Sequence, residues 1–144
     1  MKRKTFLLGL LFLLASALTA CVHPYEGKHF SRSYPHSVYN GLPLMETITM
    51  GSTNGASVTF NYKLDPVGNN KYVINGTMDM STRVDSYADI NIYLLLLKRG
   101  DVVEAVRMNS RSVALGEKID FSKEFETDKD FNALTFNFNV RYYH

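Results

Sequence analysis

The chain has 144 residues, 16 basic against 14 acidic, one Cys, and nine Tyr with nine Phe but no Trp. A single Cys excludes an intrachain disulfide framework, and the near balance of charge, with no basic cluster outside the first few residues, excludes a nucleic-acid footprint. The length allows one ordinary domain with a real core.

At the start, Lys2, Arg3 and Lys4 precede an apolar run from Phe6 to Leu14, broken only by Gly9. Small residues Ala15, Ser16 and Ala17 lead into Leu18-Thr19-Ala20-Cys21. This is the three-part layout of a secretory signal peptide. The apolar run falls short of the about 20 residues that span a bilayer.

Leu18, Thr19, Ala20 and Cys21 resemble the lipobox of bacterial lipoproteins: Leu, a small residue, Ala or Gly, then Cys. The resemblance covers residues 1–21 alone. It implies diacylglycerol on the Cys21 sulfur, cleavage before Cys21, and palmitate-type acylation of the new amino terminus. Under the sorting rule in which Asp after the Cys retains a lipoprotein at the inner membrane, Val22 implies the periplasmic face of the outer membrane. Cleavage would remove three of the 16 basic residues and none of the 14 acidic ones, leaving 13 against 14. Lipidation also caps a thiol that an oxidising compartment would otherwise attack.

Residues 21–43 hold three of the four prolines (Pro24, Pro35, Pro43) and show no apolar period. They read as a tether standing the domain off the membrane. Tyr25, Phe30, Tyr34 and Tyr39 in that stretch allow part of it to dock, and Val38 with Tyr39 to begin an edge strand.

From residue 44 the apolar period is two, the mark of strands. Seven are expected, at 44–50, 57–64, 71–80, 89–98, 102–108, 119–126 and 133–143. In 57–64, Val58, Phe60, Tyr62 and Leu64 point one way. Gly76 inside 71–80 marks a bulge or a close backbone neighbour. Residues 89–98 are apolar on both faces, so this strand is central or has its second face covered. Arg99-Gly100-Asp101 makes a hairpin turn, then Val102, Glu104, Val106 and Met108 share a face. In the loop at 109–118, Val113 and Leu115 are expected to plug one end of the core. In 133–143, Leu134, Phe136, Phe138, Val140 and Tyr142 line one face.

Seven short strands in residues 44–144 indicate an all-β, two-sheet antiparallel sandwich of immunoglobulin or fibronectin type III kind. The alternative is a small up-and-down barrel of lipocalin kind, with 36–42 adding an eighth strand.

No catalytic set is legible. His23, His29 and His36 lie in the tether and His144 ends the chain, so no rigid metal site is formed from them. The only Cys is the lipid acceptor, no Gly-x-Ser-x-Gly element occurs, and Asp79, Asp85 and Asp89, like Asp128 and Asp130, lack EF-hand spacing. The expectation is a protein without catalytic residues, metal or cofactor. The polar row Thr135, Asn137, Asn139 and Arg141 on the last strand is the candidate interaction face. The functional expectation is a non-catalytic interaction or accessory module, anchored to the membrane at Cys21 and bound to an envelope protein partner. The alternative is a small-ligand or glycan carrier of the periplasm.

Overall fold

A computed structural model describes residues 23–51, 57–81, 87–114 and 118–142. The lipobox with Cys21, residues 52–56, Asp85, Leu115 and His144 lie outside the described residues. Eight strands are described: β1 (Ser37–Val38), β2 (Leu44–Gly51), β3 (Ser57–Gly68), β4 (Lys71–Ser81), β5 (Tyr87–Lys98), β6 (Asp101–Ala114), β7 (Lys118–Glu126) and β8 (Ala133–Tyr142).

They form two antiparallel four-stranded sheets, in the orders β1-β8-β5-β6 and β2-β3-β4-β7. Neither sheet closes on itself, which removes the barrel alternative. The eighth strand is β1, two residues of the expected tether that pair with Leu134 and Ala133 of β8. The strand order also differs from the immunoglobulin arrangement, whose sheets ABED and CFG separate the second and third strands. Here β3 and β4 pair directly as a hairpin. Spacing and alternation count strands but carry no information about which strand pairs with which.

Alternation builds the core. Val58, Phe60, Tyr62 and Leu64 of β3, Ile74, Met78 and Met80 of β4, and Ile119, Phe121 and Phe125 of β7 all point inward and are buried. They meet Ile90, Ile92, Leu94 and Leu96 of β5, with Leu134 and Phe136 of β8. The two sheets touch most intimately where Phe60 and Phe136 stack, their ring centroids 4.3 Å apart. One end of the sandwich is closed by four aromatics: Tyr39 stacks on Phe131 at 4.8 Å, and Tyr72 stacks on Phe125 at 5.3 Å. Val113 lies in β6 rather than in a loop.

Gly76 pairs in register with Tyr62 on one side and Phe121 on the other. The bulge alternative is therefore excluded, and the close neighbour is real. A Cβ at Gly76 would sit 2.3 Å from the Asn61 carbonyl oxygen and 2.7 Å from Phe121 Cζ.

The Tyr62 hydroxyl is buried without a hydrogen-bond partner. Burial pushes its pKa up to about 12, the nearby Ser37 hydroxyl pulling it back without bonding geometry and Glu46 adding a further push upward. An unfolded Tyr titrates near 10, so this contribution to stability is whole below about pH 10 and is lost as pH rises towards about 12. Tyr62→Phe should remove that alkaline loss and leave stability at pH 7 unchanged, or about 1 kcal/mol higher. Urea unfolding at pH 7 and pH 11 checks this; a deficit at pH 7 would mean that the hydroxyl is bonded after all.

Candidate interaction surface

Leu95 and Leu97 of β5 point away from the core, yet both are buried. Together with Val102 they form a second apolar cluster, packed against Tyr25, Phe30, Tyr93, Ala105 and Ala133. The stretch expected as a tether is what covers the outer face of β5. From His23 onward it is docked as a strap.

The strap is held by backbone bonds as well as by rings. Gly27 N–H donates to Val102 O at 2.8 Å, Val102 N–H to Lys28 O at 2.9 Å, and Phe30 N–H to Gly100 O at 2.8 Å. His23 lies over Tyr93 with ring centroids 4.9 Å apart, and beside Tyr25 at 5.3 Å. Close approach demands Gly100: a Cβ there would lie 2.9 Å from His29 Cε1 and 3.0 Å from Phe30 O. Arg99 and Gly100 both have positive φ, at 55° and 91°, as the two central residues of a type I′ hairpin turn require. The tripeptide Arg99-Gly100-Asp101 is thus a turn.

A register shift between Leu96 and Leu97 pairs Leu97 with Val102, leaving Val103 as the extra residue. This bulge reverses the parity of β6. Val102 joins the outer cluster under the strap, and Val103 packs against the core instead. The expected common face of Val102 with Val106 and Met108 is corrected accordingly.

The strap also decides the fate of the polar row on β8. Thr135 is fully buried and donates its hydroxyl to Pro35 O at 2.5 Å. Asn137 is half-buried beside Tyr34, whose hydroxyl donates to Phe136 O at 3.4 Å. Burial raises the Tyr34 pKa, and Asn137 at its hydroxyl pulls it back. Only Asn139 and Arg141 remain exposed. The four residues share a face as expected, but the strap covers its first half.

Between the strap and the β5–β6 turn lies an open groove of about 600 Å³. Phe30, Tyr34, Leu97, Ala133 and Val38 give it apolar walls, Val38 being 70% exposed. His29, Arg32, His36 and Arg99 also line it. His29 Nδ1 bonds Asp101 at 2.7 Å and His36 Nδ1 bonds Tyr34 O at 2.8 Å. Among the described residues, neither guanidinium has an acidic partner. No group of three or more metal-ligating side chains occurs among the described residues.

Charge is divided between the two outer faces. The strap and the outer face beneath it carry Lys28, Arg32, Arg99, Arg107 and Arg141 against Glu26, Asp89 and Asp101, counted among the described side chains. The outer face of the other sheet carries Lys63, Lys71 and Lys118 against Asp65, Asp79, Asp120, Glu124 and Glu126.

The sheet edges differ as well. Edge strands avoid unwanted pairing by placing charges at inward-facing positions. Glu46 stands opposite Tyr62 on β2, Lys123 opposite Ile74 on β7, and Glu104 opposite Leu96 on β6. All three occupy positions whose cross-strand partners are buried in the core or, for Glu104, bond the buried Thr127 hydroxyl. β8 has no such guard. β1 covers it only at Ala133 and Leu134. Because backbone bonding alternates in an antiparallel ladder, Phe138 and Val140 turn their N–H and C=O groups outward, with no backbone partner among the described residues.

Compared with known protein families, with curated proteins and with solved structures, the chain matches none of the three.

Proposed function

We propose that this is a lipid-anchored, non-catalytic recognition module of a bacterial cell envelope, held at Cys21 on the periplasmic face of the outer membrane. It binds an extended segment of an envelope protein along the open edge of β8. The observation that carries this reading is the contrast among edges: β2, β6 and β7 each carry an inward-facing charge, and β8 beyond Leu134 carries none. Strand addition gives affinity through main-chain bonds and specificity through alternate side chains, here the exposed Asn139 and Arg141. The lipobox resemblance supports the anchor.

A photo-crosslinker at Asn139 in the lipidated protein should capture one partner in cells, and the same group at Ser122 on the opposite sheet should not. Val140→Pro removes an outward N–H, which edge strands tolerate, and should cut the crosslink at least about tenfold with the unfolding midpoint nearly unchanged. Equal crosslinking from both positions, or indifference to Val140→Pro, would defeat the edge reading. In parallel, Cys21→Ser should accumulate as an uncleaved, unlipidated precursor. The carrier alternative draws on the groove of about 600 Å³, a volume within the small-molecule range. A ligand that co-purifies and is displaced by Val38→Arg would favour it.

A further inference from the structure

We infer that the strap face is the membrane-facing side of the domain, and that the groove beside Arg32 and Arg99 receives the phosphate-bearing headgroups of an anionic lipid surface. This rests on the lipid-anchor reading of Cys21 and concerns what that anchor does to the domain.

The first observation is the absence of slack. A free tether of some twenty residues would let the domain wander far from the bilayer. His23, however, is already seated on Tyr93 and Tyr25. It follows Cys21 by two residues, and two extended residues span at most about 7 Å. The headgroup layer on each side of a bilayer is about 5–8 Å deep. A lipid on Cys21 therefore brings the Tyr25–Tyr93 pair to headgroup level, where amphipathic Tyr rings are favoured.

The second observation is where the cations lie. Leu97 and Arg99 follow Tyr93 by four and six positions along the same strand and its turn, at about 3.3 Å per residue, which places the groove about 13–20 Å from Tyr93. Its two guanidiniums lack acidic partners among the described residues, and the carboxylate of Asp101, next to Gly100 in the β5–β6 turn, is bonded to His29. Arg presents a planar fork of donors that matches phosphate oxygens. The third is the opposite face, where acids outnumber lysines. An anionic surface repels that face and attracts the strap, so the anchor and the field select the same orientation.

The test uses lipidated protein reconstituted in vesicles of phosphatidylcholine with or without phosphatidylglycerol. Because lipidation occupies Cys21, a new Cys is the only free thiol, so Ser31→Cys and Ser122→Cys each accept one fluorophore. A headgroup-linked quencher should quench the label at position 31 several-fold more than that at 122. The difference should grow with phosphatidylglycerol and shrink when Arg32→Glu and Arg99→Glu are combined. Equal quenching at the two positions on a chain whose mass shows the lipid would overturn the orientation alone. Strong quenching at 31 that ignores both lipid charge and charge reversal would overturn the headgroup role of the groove. A chain whose mass shows an unmodified Cys21 would remove the anchor and this orientation together.

Discussion

Phe136→Ala should destabilise the domain by about 4 kcal/mol, within the range for deleting a buried aromatic. Phe136 is fully buried on β8, stacked on Phe60 at 4.3 Å, with Tyr62 at 5.0 Å and Phe121 at 5.9 Å. Those three rings all belong to the opposite sheet, so truncation opens a void between the layers rather than within one of them. Backbone ladders hold each sheet at its own spacing, which limits collapse into the void. Phe136→Leu, which keeps most of the volume, should cost only about 1 kcal/mol. Urea titration of both variants measures the pair of losses. If the two substitutions cost the same, the stack is not what holds the sheets together.

Gly76→Ala should cost about 3 kcal/mol, at the upper end of overpacking effects, and lower the unfolding midpoint by about 10 °C. A single methyl is usually harmless in a strand, and alanine even restricts the unfolded chain favourably. Here the obstacle is a backbone carbonyl, Asn61 O, 2.3 Å from the new carbon, and a carbonyl in a paired ladder does not rotate away. The Phe121 ring rests in the same space, an aromatic covering a strand glycine. Adding Phe121→Leu to Gly76→Ala would relieve the ring contact and not the carbonyl contact. The double variant should therefore remain well below the native protein in stability. Recovery to native stability would locate the whole clash in the ring.

How far the sequence reveals this arrangement depends on the range of the interactions involved. The inward rows of β3 and of the first half of β8 follow from alternation alone, because a pleated strand has no other choice. The covered second face of β5 is also legible, since Leu95 and Leu97 would not face water in company. What covers it is not. Tyr25 and Phe30 dock from a segment without period, and irregular chain leaves no repeating signature. The bulge at Val103 has no marker of its own, yet it inverts every assignment on one side of it. Thr135 shows the same limit from another direction. Alternation places it on the face opposite Phe136, but whether that face meets water is decided by Pro35, 100 positions earlier in the chain. The edge contrast needs the strand order, which spacing does not contain.

The strap joins places that are remote along the chain: His29 to Asp101 across 72 positions, Pro35 to Thr135 across 100, and Tyr34 to Phe136 across 102. Closing loops of that length is slow, and it waits upon the hairpins that make up the rest of each sheet. In a chain that emerges amino end first, β8 is made after every other strand described, so the part of the strap at Tyr34 and Pro35 finds its seat last. Until then Tyr34 and Pro35 lack their seats at Phe136 and Thr135, whereas Gly27, Lys28 and Phe30 need only the β5–β6 hairpin for their backbone bonds. The strap thus sets an order of events, in which its first half settles on the β5–β6 hairpin and the arrival of β8 then fastens its second half onto the finished sheet.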